Sequence, residues 1–370
     1  MRMNVCHLIG ALGYGGRETL LFEIFKNSPG HISYTLCCLR VNDRELVDKF
    51  EKVGVDVVSV DADGHTDLNA LWELVQFLWR REFDVLHAHG INSQIPGRLF
   101  GHLCGTECII STYHGLKDVN NASKLLRIEE LTRRLDSKHV AVSNGVKQSF
   151  ADGSSNGQWT TIYNGIDIEA FNARVREADV DSIKYQYELD EDAVIFLNVG
   201  RYIPKEAQSD LIEAMDVVVE EIPEAHLFII GGRGSLENQL RNNVADAGLE
   251  RNIEITGRVP TVAEYYALAD VFVSSSVREG LPIVLLEAMA AELPIIAADI
   301  PGVEEVLDTG TGEFVGTHAP SELAEAMICM GSDKRRISIG KAGYERATDK
   351  FSIQRTVNEH IELYKDCAKI

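Results

Sequence analysis

Residues 270–298 constrain the fold of this chain more than any other stretch. They read as a short apolar strand over 270–274, a loop carrying Glu279, a helix from about Pro282 to Ala291 and a second buried strand over 294–298. Strand, helix and strand in immediate succession imply a parallel pair with a helical crossover, the building unit of an α/β sheet. Pro282 suits a first helical position, where its missing N–H costs nothing, and Gly280 permits close approach of a second backbone or a ligand. Because the helix begins where the strand ends, the loop occupies the crevice position at which open α/β sheets take ligands. Glu279 and Glu287 both belong to this segment, and free N–H groups at the helix start would accept a negative group beside them. That combination suits a ligand carrying both hydroxyls and phosphates. On spacing alone the plainer reading stays open, with Glu279 a solvated loop residue and Glu287 a surface residue of an amphipathic helix.

The same strand–helix alternation runs through the chain. Strands are expected over 3–9, 33–39, 56–60, 84–87, 109–113, 139–142 and 160–163, with helices over 18–26, 44–53, 68–81 and within 124–135. A glycine-rich turn containing Gly13, Gly15 and Gly16 follows the first strand. Residues 168–192 are polar and changeable, and the domain connection is placed there. The pattern resumes with strands over 194–199, 225–230, 253–256 and 271–273, helices over 209–221, 236–247 and 262–268, and a glycine loop at 231–235. The expected division is a first domain over 1–170, a connection over 171–192, a second domain over 193–350, and a C-terminal helix over 351–370 that packs back on the first domain. Two parallel-sheet domains with their ligand edges facing a shared cleft are the simplest architecture.

Composition narrows the class. A 370-residue chain with 45% hydrophobic residues has room for more than one core. With 36 Lys and Arg against 57 Asp and Glu, the formal charge is −21, which disfavours nucleic acid as a partner and a general electrostatic grip on an anionic bilayer. No signal peptide is expected at the N-terminus, and Glu287 and Glu292 interrupt the most apolar long region, so it reads as core rather than membrane span. Seven cysteines, an odd number, without zinc-type spacing read as reduced packing residues, with Cys104 and Cys108 in a helix or at its end. The D-x-D spellings at Asp61–Asp63 and Asp179–Asp181 lie away from the inferred ligand loops and read as turn or helix carboxylates.

The ordered motifs then carry a resemblance. G-Y-G-G-R-E at 13–18, H-A-H-G at 87–90, Y-H-G at 113–115, A-V-S-N-G at 141–145 and I-Y-N-G-I-D at 162–167 occupy the first half. N-V-G-R at 198–201, G-G-R-G at 231–234, E-G-L-P-I-V-L-L-E-A-M-A at 279–290 and P-G-V-E-E-V at 301–306 occupy the second. In this order they resemble the retaining glycosyltransferases of family 4, also grouped as glycosyl transferases group 1, across nearly the whole chain. The resemblance implies the GT-B fold, two Rossmann-like domains with an interdomain cleft, and an enzyme that moves a sugar from a UDP- or GDP-sugar to an acceptor hydroxyl.

By that resemblance the second domain binds the donor. Glu279 contacts sugar hydroxyls, Glu287 the ribose hydroxyls, Gly280 and Leu281 offer main-chain N–H groups, and Arg201 clamps the diphosphate. Gly15 and Gly16 bring the first loop to the donor, and His114 stands near the reacting sugar, with His87 and His89 at the same rim. The family's lysine five positions after the arginine is absent: Glu206 stands there and Lys205 precedes it. Either the loop shifts and Lys205 reaches the phosphates, or donor binding weakens. His114, Arg201, Lys205 and Glu279 are the expected catalytic set.

The resemblance implies no obligatory cofactor or metal, the nucleoside diphosphate sugar being a co-substrate. The acceptor is a glycan, a lipid-linked molecule or a small metabolite, and the setting is cytoplasmic, at the inner face of the membrane if a peripheral contact exists. Surface polysaccharide, glycolipid or glycan assembly is the expected role. Competing readings are a weak or inactive nucleotide-sugar-binding protein, a nucleotide-sugar epimerase or phosphorylase, and, more remotely, a nicotinamide-dependent oxidoreductase suggested by the first glycine loop. The sequence leaves the donor base and sugar, the linkage and the oligomeric state open.

Overall fold

In the computed structural model the chain divides into two units, one formed by residues 1–165 with 353–370, the other by 166–352. The structure describes residues 2–62, 67–117, 124–151, 158–232, 234–332 and 334–369. Two residues named above, Asp63 and Arg233, lie outside that set.

The first unit is built on a parallel seven-stranded sheet with β1 Met3–Leu12, β2 Ile32–Val41, β3 Asp56–Ser59, β4 Val85–His89, β5 Cys108–Tyr113, β6 Lys138–Ala141 and β7 Trp159–Thr161. The strand order is β3-β2-β1-β4-β5-β6-β7. Chain direction across the sheet reverses between β1 and β4, where Val5 to Ile9 pair in register with Val85 to His89. Helices on both faces bury the central strands completely, which is why β4 and β5 show none of the alternation of a half-buried strand.

The second unit holds six parallel strands, β8 Ile195–Val199, β9 His226–Ile230, β10 Ile253–Gly257, β11 Val271–Ser274, β12 Ile295–Ala298 and β13 Gly312–Val315, in the order β10-β9-β8-β11-β12-β13. Its core joins Phe196, Leu227, Ile229, Val273 and Ile296 of the sheet to Leu211, Met215 and Val218 of the helix Gln208–Glu221. The strand order again reverses at one place, between β8 and β11. Each unit is therefore a doubly wound Rossmann-like sheet with a switch point, and the carboxyl ends of β1/β4 and of β8/β11 are where such a sheet leaves room for a ligand.

Several sequence expectations are corrected. Residues 171–192 are not a loose connection: the helices Ile168–Arg176 and Val180–Gln186 belong to the second unit, where Asn172 Nδ2 donates to the Ala290 carbonyl at 2.7 Å. Ile168, Phe171 and Val175 carry the helical spacing of the first of them, a signal obscured by the polar residues around it. Pro282 sits one residue before the helix Ile283–Ala290 rather than in its first turn, with extended backbone that its ring tolerates. Cys108 lies in β5, not in a helix, and it is disulfide-bonded to Cys367, so the cysteines are not all reduced. The helix Ile353–Ala368 that carries Cys367 packs within the first unit.

Candidate functional site

In the second unit the switch point gathers charge. Val199 ends β8, and Gly200-Arg201 turns into the short helix Pro204–Glu206, which is held to the β11 loop by main-chain and side-chain bonds. Val277 N donates to the Lys205 carbonyl at 2.9 Å, and Ser275 Oγ to the Glu206 carbonyl at 2.8 Å. Lys205 Nζ is ion-paired with Glu279 and lies 3.3 Å from Glu206 Oε1. The other oxygen of Glu206 accepts a 2.7 Å bond from Ser276 Oγ, with the residue buried. The glutamate in the lysine position is thus folded inward as a structural acceptor. The Arg201 side chain is exposed, while its carbonyl accepts from Gln208 Nε2 at 3.2 Å.

Burial holds the Glu279 carboxyl above its ordinary range, and Glu206 adds to the effect while Lys205 and Arg201 oppose it. Gly280 and Leu281 follow, buried, and connect Glu279 to the helix Ile283–Ala290. Glu287 stands apart from the charged group: its Oε2 accepts a 3.1 Å bond from Tyr266 Oη, and burial pushes its carboxyl up to about 7 against the influence of Tyr266 and Arg174.

Two glycine motifs prove to shape this edge by close packing. A Cβ on Gly231 would lie 1.8 Å from the Gly200 carbonyl, and one on Gly302 would lie 2.7 Å from the carbonyls of both Glu279 and Gly280. Gly302 therefore lets the turn after β12 press directly against the glutamate loop.

In the first unit, a cavity of about 390 Å³ opens at the β1/β4 switch point, lined by Gly10, Arg17, Arg40, His89, Gly90 and Asn92 among others. Gly15 precedes the helix Gly16–Lys26 in extended conformation, and the buried Glu18 carboxylate, paired with Arg17, occupies that helix start. Arg17 also donates to the Ala11 carbonyl at 3.1 Å. Sequence reading missed Arg17 as a lining residue although it sits inside the first glycine motif. An apolar groove of about 140 Å³ adjoins the cavity, sharing Leu39, Ala62, Ile91 and Asn92 with it, and runs between the helices Leu68–Arg80 and Ile91–Leu103 past Leu125.

His114 lies just after β5, with its Nε2 3.0 Å from His89 Nδ1. His87 and His89 face a third ring, His7, and one ring nitrogen from each of these three lies within 4.8 Å of the others. Such nitrogens can ligate a metal, yet each ring here already has hydrogen-bond partners, among them Tyr364 and Thr112. Burial, with the influence of neighbouring rings, lowers the pKa of His7, His87 and His89 well below the usual histidine value, and burial together with the Arg17 charge and His360 takes His114 to about 3. At neutral pH all four rings are uncharged. The aspartates of the second D-x-D spelling do not meet these groups; Asp179 caps the helix Val180–Gln186 by accepting from Ser182 N.

Two doubly wound units with polar switch points define a GT-B protein. Residues 14–170 match the family described as Glycosyltransferase Family 4, and residues 179–346 match Glycosyl transferases group 1. The chain belongs to this family and is a glycosyltransferase. It is 25% identical over 317 residues to the UDP-Gal:alpha-D-GlcNAc-diphosphoundecaprenol alpha-1,3-galactosyltransferase of Escherichia coli, covering 81% of this chain and 80% of that protein. It is also 25% identical over 325 residues to the N-acetyl-alpha-D-glucosaminyl L-malate synthase of Bacillus anthracis, covering 86% of this chain and 84% of that one. Among solved structures, Anabaena Alr3699/HepE in complex with UDP and glucose is similar with a TM-score of 0.85 and 19% identity over 99% of this chain and 100% of that one.

Proposed function

We propose that this enzyme transfers a sugar, with retention of anomeric configuration, from a UDP- or GDP-sugar bound by the second unit to a hydroxyl of a lipid-linked acceptor recognised by the first. The observation that carries the donor half is the Lys205–Glu279 pair beside Arg201 at the β8/β11 switch point. The two cations suit a diphosphate, and Arg201 gains strength as a clamp when negative charge accumulates on the departing group. Glu279 accepts hydrogen bonds from sugar hydroxyls once the diphosphate draws Lys205 toward itself, and Glu287 accepts from ribose hydroxyls. Gly280 and Leu281 offer main-chain N–H groups to sugar or phosphate oxygens.

In the transfer the bond between the anomeric carbon and the β-phosphate oxygen breaks and a bond to the acceptor oxygen forms on the same face. The acceptor proton passes to the departing phosphate, so no protein carboxylate needs to act as nucleophile. Gly15, Gly16 and His114 serve the donor sugar from the first unit. No metal enters this scheme.

The acceptor half rests on the apolar groove. Leu99, which lines the groove, is exposed, and exposed apolar side chains recur on the three helices that contribute to it: Trp72 and Trp79 at 62% and 71% exposure, Leu103, and Leu131 of the helix Lys124–Thr132. Apolar exposure of this extent marks a lipid or protein contact more often than bare solvent. One relative named above is named for a diphosphoundecaprenol-linked substrate and the other for an L-malate product. The groove favours the first kind. Surface-glycan or glycolipid assembly at the membrane's inner face is the corresponding role; no helix among the described residues is long and apolar enough to cross a membrane. The inward turn of Glu206 speaks against the inactive reading, because that carboxylate is committed to Ser276 and Lys205.

The test is a donor screen over UDP- and GDP-sugars with lipid-linked and small acceptors, the product's anomeric configuration being read by NMR. Transfer with retention to a lipid-linked acceptor is expected. Inversion, donor epimerisation without acceptor, or exclusive use of a small metabolite would overturn the corresponding part.

A further inference from the structure

Behind His114 the first unit contains an unbroken file of hydrogen-bonding side chains. Starting from its deep end, Thr112 Oγ1 is 2.5 Å from His87 Nε2, and His87 Nδ1 is 2.8 Å from Tyr364 Oη. Tyr364 Oη is 3.2 Å from His7 Nε2, His7 Nδ1 is 2.9 Å from His89 Nε2, and His89 Nδ1 is 3.0 Å from His114 Nε2. Three strands and the C-terminal helix contribute, and His7 stands opposite His87 in the β1/β4 register. Thr112, His87, His7, His89 and Tyr364 are all buried.

A neutral imidazole has one donor and one acceptor nitrogen, and each hydroxyl has a single proton to give. Six groups thus share six protons and five hydrogen bonds, so one proton stays outside the file, on Thr112, on Tyr364 or on His114. If protons point away from His114, His87 Nε2–H donates to Thr112, and the buried Thr112 hydroxyl is left with no acceptor among the described residues. If they point toward His114, both hydroxyls have acceptors: Thr112 donates to His87, His87 to Tyr364, Tyr364 to His7, His7 to His89, and His89 Nδ1–H to His114 Nε2. Thr112 and Tyr364 are buried while His114 is partly exposed, so the unbonded proton costs least on His114, and this polarity prevails. The only proton left to His114 is then on Nδ1, the nitrogen for which no hydrogen bond is formed within the described residues.

We propose that His89, His7, Tyr364, His87 and Thr112 are positioning residues that hold His114 as its Nδ1–H tautomer, a neutral hydrogen-bond donor rather than a base. Such a ring gives a hydrogen bond to a lone pair, from a sugar oxygen or from the phosphate oxygen that becomes negative as the sugar departs. It takes no proton from the acceptor hydroxyl. The tautomer follows from the first unit alone; its use in sugar transfer rests on the function proposed above. The arrangement also gives the C-terminal helix a chemical part, because Tyr364 joins the two halves of the file and Cys367, one turn further on, is tied to the strand bearing Thr112.

Long-range proton–nitrogen NMR of the whole protein labelled with ¹⁵N-histidine tests this, the His114 signals being assigned by their loss in His114→Asn. The expected spectrum shows His114 with a protonated Nδ1 and an unprotonated Nε2 from pH 6 to 8. A protonated Nε2 on His114 overturns the proposal, and this reading needs no further variant. Tyr364→Phe and Thr112→Val each delete one hydroxyl and keep the side-chain shape. In either folded variant His114 should become a mixture of tautomers, with kcat reduced about tenfold and donor KM within twofold of the parent. A His114 that stays wholly Nδ1–H in both contradicts the file as its cause. Failure to find any sugar transfer would count against the enzyme activity, while the tautomer would still be decided by the spectrum.

Discussion

Lys205 and Glu279, 74 positions apart in the chain, form an ion pair that joins the loop after β8 to the loop after β11. Glu206 is the second carboxylate on the same ammonium. The pairing makes the lysine the local counter-ion of two acids, so a diphosphate must compete with them for it. Removing that cation leaves Glu279 and Glu206 facing each other and the incoming phosphates uncompensated. Lys205→Ala should lower kcat/KM for the donor at least tenfold, about 1.4 kcal/mol of lost binding or transition-state stabilisation. Steady-state kinetics check this, and values near the parent's would show that Lys205 takes no part.

Glu287 gives a prediction with a defined pH window. Its carboxyl is raised from 4.5 to about 7, so the folded state binds the proton more tightly than the unfolded chain does. The resulting stabilisation is complete below about 4.5 and is lost as pH rises through about 7. Urea unfolding of the parent and Glu287→Gln should therefore diverge across that window, by at most about 3.5 kcal/mol since one pK unit corresponds to about 1.4 kcal/mol. Donor affinity should move the other way in the parent, rising as the carboxylate ionises, and stay flat in the variant. Parallel stability curves would remove the raised carboxyl from the account.

The glutamate loop also depends on Gly302. A Cβ there would meet the Glu279 and Gly280 carbonyls at 2.7 Å, and main chain cannot yield as a flexible side chain does. Gly302→Ala should displace the loop and weaken donor use at least tenfold while the protein stays folded, as circular dichroism would verify. Unchanged kinetics would mean that the loop's position does not matter.

In the first unit Arg98, fully buried, donates to Asp136 at 2.9 Å, to Glu129 at 3.1 Å and to Tyr113 at 2.7 Å, the residue next to His114. Burial opposes its charge, but these acidic partners keep it protonated. Asp136→Asn leaves a buried guanidinium under-compensated and should destabilise the protein by roughly 3–5 kcal/mol, measured by denaturant unfolding. A change below about 1 kcal/mol would show the network to be expendable.

Much of this arrangement was legible in the sequence where local pattern and tertiary structure agree. Short apolar runs such as 226–230 and 295–298 are buried on both faces, and the helix starting near Pro282 follows a strand end, so the strand–helix succession and the ligand edge could be inferred. Of the helix Ile91–Leu103 only the end at Cys104 was expected; its extent escaped because Pro96, Gly97 and Gly101 are poor helix formers, and its stability comes from packing on the sheet. The partners of His114 escaped for a different reason. His7, His87 and Tyr364 are distant in sequence, and nothing in a lone histidine or tyrosine announces a shared hydrogen-bond file. Glu206 was visible as a departure from the family pattern, but its inward turn depends on Ser276, whose side-chain direction only the folded loop reveals.

The disulfide was likewise beyond sequence reading, since Cys108 and Cys367 are 259 positions apart. Peptide mapping without reductant should recover the two cysteines in one cross-linked fragment, and Cys367→Ser should cost about 2–4 kcal/mol in unfolding experiments. Both thiols found free under oxidising conditions would contradict the bond.

The measurement that bears most directly on the donor site is a calorimetric comparison of nucleoside diphosphate and monophosphate binding to the parent and to Lys205→Ala. The account predicts that the parent prefers the diphosphate by at least tenfold and that the variant loses most of that preference while still binding the monophosphate. Equal preference in both proteins, or no binding of either nucleotide to the parent, would contradict the assignment of this edge of the second unit to an activated sugar.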